Sequence, residues 1–600
     1  MINFYKQRIQ FLKTQLETES KSANNLSLIR GIIFLMSFLC FVAFATTLKD
    51  LNWTLLFIAG IIGLIFYRVV LVHIQKIKQV EKLKSLIHLN QDEVDRLDLN
   101  LEHIENGEGF IKPDHPYHID LDIFGNHSLY QLINRCQIPE SKQLLADWLS
   151  NKASIEEISL RQEATKELAS DLEWNQHFLS TAYISLNKRG KRAPEVSQLE
   201  LIAWANKEYE LKYERIWKPI TVLTTIVSVS LLLTVIFTNL PSQLLYLLII
   251  PNGLLLFQSV KHLKALSQDV DKANYLVSTF LNTLPLIENA SFKSKRLIKL
   301  KEKLGKAVPA SKAIKKLSNI TYRLSVRGNI LYPILDGLFL VDAYLLIDLY
   351  NWKKQYKQSI HEWLEVVNEM ECLISLAGFS QLNPKYIFPE VHDQLFQFEA
   401  TNLGHPLISP EEMVVNDYSI KGKGAIDILT GSNMSGKSTF ERTVAINMVL
   451  AQMGAPVYAT SLSMGLTEIF TSMRTIDNIA EHTSSFYAEL KRINRLLEYC
   501  KEHPATFVVI DEVLKGTNSE DRHIGAMALV KKITGLSEFG IISTHDLALG
   551  KETTGMSKIR NFSFNSEIID DQIQFDYKLT PGLCKSFNAS KLMEKMGITN

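Results

Sequence analysis

The sequence predicts a multidomain chain: four membrane-crossing helices, an all-α middle region, and a C-terminal α/β domain built on a mostly parallel sheet. Three observations predict it. Two long stretches carry almost no charge, the segments between them repeat Leu, Ile, Lys and Glu at helical spacing, and the last third alternates short apolar runs with amphipathic helices. A chain of 600 residues, 46% of them hydrophobic, can bury several cores. Lysine plus arginine (65) balances aspartate plus glutamate (64), so only local charge speaks about partners. The five cysteines, Cys40, Cys136, Cys372, Cys500 and Cys584, form no CxxC pair. Their number and scatter disfavour a disulfide framework and a zinc site, and point to a reducing compartment.

The first uncharged run is Gly31 to Leu48, and a second follows from Leu51 to Tyr67. Each is about the length of a membrane-crossing helix. No charged residue lies between Lys218 and Lys261, and Asn239, Pro241 and Ser242 interrupt that stretch, so it reads as two further spans joined by a tight turn. Lys6, Arg8, Lys13, Lys21 and Arg30 precede the first hairpin, and Arg68, Lys76 and Lys78 follow it. Arg215, Lys218, Lys261 and Lys264 bracket the second. By the positive-inside tendency both hairpins enter and return from one side, which predicts a multi-pass protein of the inner (cytoplasmic) membrane with its soluble parts in the cytoplasm. The spans hold no internal Asp, Glu, Lys or Arg, so they read as anchors rather than a transport path.

This divides the chain into an N-terminal helix (1–28), a first hairpin (29–72), a helical linker (73–112), a helical core (113–216), a second hairpin (217–260), a second helical part (261–395) and the α/β domain (396–600). In that last domain, Ala425 to Thr430 reads as a strand running into Gly431-Ser432-Asn433-Met434-Ser435-Gly436-Lys437-Ser438-Thr439, with a helix after it. This is GxxxxGK[ST] in the strand-loop-helix context that a phosphate-binding P-loop needs. Its backbone amides and the helix N-terminus cradle phosphates, Lys437 reaches the β and γ phosphates, and Ser438 ligates magnesium. Downstream, Phe507 to Ile510 is a strand ending in Asp511 and Glu512. Asp511 is placed to hold the magnesium shell and Glu512 to orient or deprotonate water. His545 ends the next strand and is a third candidate at the γ phosphate. An ATP- and Mg2+-dependent ATPase is therefore expected.

These motifs resemble those of the MutS mismatch-repair family. Thr430 to Thr439, with its Asn433-Met434 pair, looks like that family's Walker A. Asp511-Glu512 and Gly516-Thr517-Asn518-Ser519 are similar to its Walker B and following loop, His545 to its switch histidine, and Ser586-Phe587 to its C-terminal region. Asp477 to Phe486, DNIAEHTSSF, resembles the segment whose serine reaches the partner's γ phosphate, and Ser484 is the matching position. Leu121 to Arg135, Leu144 to Leu149, and Leu160 to Ala164 resemble the start of the helical core, and Gly404-His405-Pro406 the link into the ATPase. The resemblance covers about Asp120 to Asn600 and implies an α/β ATPase of the ABC/MutS type, working as a homodimer with composite sites.

There are departures. Ser432 and Ser435 replace a proline and a glycine, His482 and Thr483 a glycine and an arginine, and Met413 an aromatic residue that stacks on adenine. No Phe-x-Glu mismatch-reading motif is visible, and a membrane hairpin stands where the family has two soluble domains. A link to mismatch repair or recombination thus rests on the family alone. Ten basic residues lie between Lys293 and Lys316 against one acid, Glu302. Such density suits DNA phosphates; anionic lipid is the rival partner, because the stretch closely follows a membrane span. The leading expectation is a membrane-anchored ATPase that binds DNA. An ATP-driven membrane scaffold or an ABC-type transporter half is the alternative, and the absent LSGGQ-like signature argues against the transporter.

Overall fold

The computed structural model describes residues 1–46, 53–186, 198–211, 214–238, 241–267, 274–305, 308–330, 332–432, 434–474, 485–514, 517–569 and 572–584. Two helices of 45 residues each, Ile2–Thr46 and Trp53–Leu97, pair along their length as a hairpin. At 1.5 Å per residue each is about 68 Å long. The expected separate helix 1–28 does not exist as such: nothing between Asn25 and Gly31 breaks a helix, so it runs on into the apolar segment. The base of the hairpin is soluble in character. Tyr5, Ile9 and Val94 are buried against Leu382, Arg8 meets Glu173 at 3.1 Å, and Lys76 meets Glu19 at 2.7 Å. Its far end is bare, with Phe34, Leu35, Phe38, Leu39 and Phe57 exposed.

A second hairpin combines Glu214–Phe237, a 3-10 turn Ser242–Leu248 started by Pro241, and Ile249–Ser267. Among the described residues four helices are long and apolar enough to cross a membrane. Bare apolar faces of this size are unusual on a soluble monomer.

Between the hairpins and the α/β domain lies a helical body whose longest member is Ser359–Leu382. A buried ion cluster locks it to the first hairpin. Arg135 binds Glu93 through two bonds of 2.8 and 2.6 Å, while Arg96 donates to Glu93 at 3.1 Å and to the carbonyls of Gln131 and Asn134. A carboxylate buried this deeply is tolerable only because two guanidiniums face it. The guanidinium of Arg135 passes under Gly378, where an added Cβ would lie 2.2 Å from Arg135 Nε, so only glycine fits that helix face. Residues 98–128, expected to be helical, are instead mostly turns. Gly107, Gly125, Pro113 and Pro116 break the helix, and Gly107 and Gly125 take positive φ.

Among its described residues the last third holds ten strands: β1 Glu390–His392, β2 Gln397–Leu403, β3 Asn416–Lys421, β4 Ile426–Gly431, β5 Ser461–Gly465, β6 Glu468–Ser472, β7 Thr506–Asp511, β8 Phe539–Thr544, β9 Ile559–Ile569 and β10 Gln572–Pro581. One sheet has the order β10-β9-β4-β8-β7-β6, parallel except for β10. Its central strands β4 and β8 are buried throughout, as a sheet covered on both faces requires. Helix Lys437–Met453 and the helical body cover one face, and Leu496, Leu497, Val530 and Ile533 of helices Ser485–Glu502 and Ser519–Gly535 cover the other. A second sheet, β1-β5-β2-β3, pairs largely antiparallel and was not anticipated; its first strand falls within the region expected to be helical.

Candidate functional site

The parallel register sets the carboxyl ends of β4, β7 and β8 side by side: Thr430 pairs with Thr544, and Asp511 with Ser543. Ligands of open α/β sheets bind at such strand ends. From β4 the chain turns through Gly431 and Ser432. It enters helix Lys437–Met453 at Gly436, whose φ of 101° places it in the left-handed region that glycine favours. A Cβ on Gly431 would lie 2.8 Å from Ser435 Oγ and 2.9 Å from the Phe564 carbonyl, so this turn too needs glycine. Met434 projects outward with φ 67°, and Ser435 is buried under the turn. Asn433 lies outside the described residues.

Lys437 is buried, and its Nζ donates to the carbonyls of Gly431 (2.9 Å) and Ser432 (3.0 Å), which holds the ammonium inside the loop. Burial pulls its pKa below the usual lysine value, opposed by the carboxylates of Glu512, Asp511 and Glu441. Ser438 Oγ donates to Asp511 Oδ2 at 2.6 Å, and Ser543 Oγ donates to Asp511 Oδ1 at 2.7 Å. Hydroxyl and carboxylate oxygens in contact are a donor set suited to a hard divalent cation such as Mg2+. Glu512 follows with φ 58° and is tied at its backbone N–H to the Ser543 carbonyl at 3.2 Å; its carboxylate meets His545 Nε2. A non-glycine residue held in this conformation is strained by about 1–3 kcal/mol, a pattern that clusters at functional sites.

Two cavities flank the loop. One, of about 370 Å³, is lined by Met413, Asn416, Thr439, Phe440, Phe564 and Tyr577 among others, and is largely apolar. The Tyr577 ring closes over Gly436, whose added Cβ would touch it at 3.0 Å. The other, of about 220 Å³, opens from Asp511 and Glu512 toward Asp114, His115, Arg474, Arg492 and Arg495. Sequence reasoning missed Tyr577, which lies far from the motifs and enters only because β10 folds back beside the loop. It also missed Ser543, two residues before His545 in the strand that ends there. Ser484 with the rest of 475–484, Gly516, and Ser586-Phe587 lie outside the described residues.

The second cavity is walled by ion pairs that join the α/β domain to residues 114–122. Arg474 grips Asp122 at 2.7 and 2.8 Å, Arg442 of the P-loop helix approaches Asp122 at 3.5 Å, and Thr471 and the Arg474 N–H bond Asp120. Nearby, the rings of His115 and His118 stack at 3.5 Å. His118 Nδ1 accepts from the Lys112 N–H while Nε2 meets Ser150 Oγ at 2.9 Å. Burial lowers their pKa values to about 4 and about 3. Both folded values lie below the unfolded value near 6.5, so the unfolded chain binds more protons between them and stability falls as pH drops below about 6.5. The melting temperature is therefore expected to fall between pH 7 and pH 5, and to fall less in His118→Gln. Equal slopes in both proteins would contradict this.

The basic stretch forms two amphipathic helices, Lys295–Lys303 and Ala310–Ser325. Leu297, Leu300, Ile314 and Leu317 point inward, while Lys295, Lys299, Lys303, Lys312, Lys315 and Lys316 are exposed. Arg296 does not join them, being held by Glu369 and by Glu157 at 3.2 Å.

Residues 427–598 match the model of MutS domain V. The chain is 33% identical over 220 residues to the DNA mismatch repair protein MutS of Caldanaerobacter subterraneus, a match covering 36% of this chain and 25% of that one. It is 28% identical over 251 residues to the MutS of Flavobacterium psychrophilum (40% and 28%), and 28% identical over 327 residues to mouse MutS protein homolog 4 (53% and 31%). The matched part thus spans under a third of each relative's length. A glycine turn, a buried lysine and paired carboxylates thus converge on one sheet edge inside residues 427–598, the part of the chain that is similar to MutS domain V.

Proposed function

We propose that this chain is a membrane-anchored ATPase of the MutS type that binds DNA under the control of its nucleotide state. One observation carries the reading: Lys437, Ser438, Asp511, Glu512 and His545 meet at the carboxyl ends of three adjacent parallel strands. The reaction is ATP plus water to ADP plus phosphate. The amides of the turn and Lys437 bind the phosphates. Ser438 and Asp511 would hold Mg2+, which supplies charge neutralisation when bound. Glu512 orients and deprotonates water, and His545 fixes the Glu512 carboxylate. The apolar cavity beside Gly436 takes the adenine, with Tyr577 as the ring that Met413 does not provide. The two hairpins hold the chain in the cytoplasmic membrane, and the exposed lysines of 295–316 meet DNA phosphates.

Ser484 is proposed to complete the partner's site in a homodimer. Ser484→Ala and Lys437→Ala chains should each be nearly inactive alone. Co-expressed, they form a heterodimer with one intact site, since both lesions fall in the other, and about half the turnover should return. No recovery in a verified heterodimer, or full activity of Ser484→Ala, would overturn the composite site. For DNA, reversing Lys299 and Lys303 to glutamate should weaken binding and flatten its salt dependence, because each lost phosphate contact lowers the salt slope by about one. Unchanged binding would remove this surface from the account.

A further inference from the structure

We propose that residues 323–349 form a re-entrant membrane element, dipping beside the second hairpin to about the middle of the bilayer and returning. The inference rests on the membrane reading of that hairpin. Helix Val341–Tyr356 runs antiparallel to helix Glu214–Phe237, and contacts at three levels fix the depth of the element. Near the top, Tyr350 and Lys354 bind Glu214 at 3.1 and 2.9 Å. Lower down, Tyr344 meets Thr225 at 3.4 Å. At the bottom, Asn252 Nδ2 donates both to Ser228 Oγ (3.0 Å) and to the Gly337 carbonyl (2.8 Å), joining both helices of the hairpin to the short helix Tyr332–Phe339.

Lys218 is the last charge before the uncharged stretch. Ser228 lies ten residues further along the same helix, about 15 Å deeper at 1.5 Å per residue. The hydrocarbon core is about 30 Å thick, so Gly337 sits near its middle.

The side chains at that depth suit acyl chains. Ile330 is 88% exposed, Ile334 61% and Leu335 48%, and this bare surface continues that of the hairpin. The two acids at that depth, Asp336 and Asp342, are buried, as a medium without water requires. Asp342 is buried, bonded by Arg327 at 2.7 Å and by the Tyr332 hydroxyl at 2.6 Å, and its N–H donates to Asp336 at 2.8 Å. Arg323 and Asp348, 3.8 Å apart with side chains about half exposed, sit higher, toward the Glu214 level and the headgroup boundary. Hydropathy alone does not find the element, because the run from Ile330 to Phe339 is half the length of a span and carries Asp336.

The test uses the unaltered full-length protein in nanodiscs of phosphatidylcholine and phosphatidylglycerol doped with a lipid carrying a diazirine near the end of its acyl chain. After photolysis, adducts are mapped by mass spectrometry. Adducts are expected within 330–339 as well as within 219–237 and 249–260. Adducts in the hairpin but not in 330–339 would overturn the re-entrant element and leave the membrane anchor standing. Adducts in neither would overturn both. As a second measurement, a nitroxide on Ile334→Cys in a Cys40→Ser background should be relaxed by oxygen and shielded from a water-soluble nickel complex, as one on Leu223→Cys should be. Shielding at Leu223 with exposure at Ile334 would again reject the element alone.

Discussion

Glu512→Gln is expected to bind ATP about as well as the parent protein and to hydrolyse it at least about 100-fold more slowly, the range in which a positioned general base contributes. Glu512 is held for this by two independent ties. Its backbone sits at φ 58° on the Ser543 carbonyl, and its carboxylate meets His545. Glutamine keeps the volume and one hydrogen bond yet cannot take a proton, so binding and turnover should separate. Asp511, by contrast, is bonded by the Ser438 and Ser543 hydroxyls, and its loss should impair both. Turnover in Glu512→Gln within about threefold of the parent would move the proton-accepting role elsewhere.

Lys437→Ala should raise the dissociation constant for ATP by about 10- to 100-fold, since a charge-assisted hydrogen bond contributes roughly 1.5–3 kcal/mol. It should also abolish hydrolysis. The ammonium is buried in its own loop by the Gly431 and Ser432 carbonyls, so the truncated variant leaves two buried carbonyls with a lost donor and the turn itself loosens. Lys437→Arg separates the two effects: it keeps the charge but not the fit, and hydrolysis should remain low. Titration with a fluorescent ATP analogue measures both variants, and an unchanged affinity in Lys437→Ala would reject the phosphate-binding role.

The linear motifs were legible because they need only local geometry. A strand, a glycine turn and a helix follow one another from 425 to 453, and the acids sit at the ends of apolar runs whose parallel pairing aligns them. What the sequence hid depends on the fold. Tyr577 reaches Gly436 only through the β9-β10 hairpin, and Asp122 meets Arg442 and Arg474 only where the helical body docks. The turns of 98–128 were legible in their glycines and prolines, but the surrounding helical composition outweighed them. Strand β2, QFEATNL, alternates buried and exposed residues, yet its polar content and short partners left no run of apolar residues to mark a sheet. The continuity of the first helix from Ile2 to Thr46 was obscured for the opposite reason, since composition changes at Arg30 while backbone geometry does not.

The P-loop helix Lys437–Met453 ties the α/β domain to the helical body. Its C-terminal end docks on the helical body, where Arg161 donates to the Met453 carbonyl at 3.2 Å and lies over the Trp148 ring.

The most direct measurement is ATP turnover by the full-length protein in nanodiscs, titrated with linear and branched duplex DNA at low and moderate salt. The account predicts that DNA changes the turnover several-fold, that the effect weakens as salt rises, and that Glu512→Gln shows no turnover at any DNA concentration. Turnover that proceeds normally and is identical with and without DNA at low salt would contradict the DNA-coupled account and favour an ATP-driven membrane scaffold.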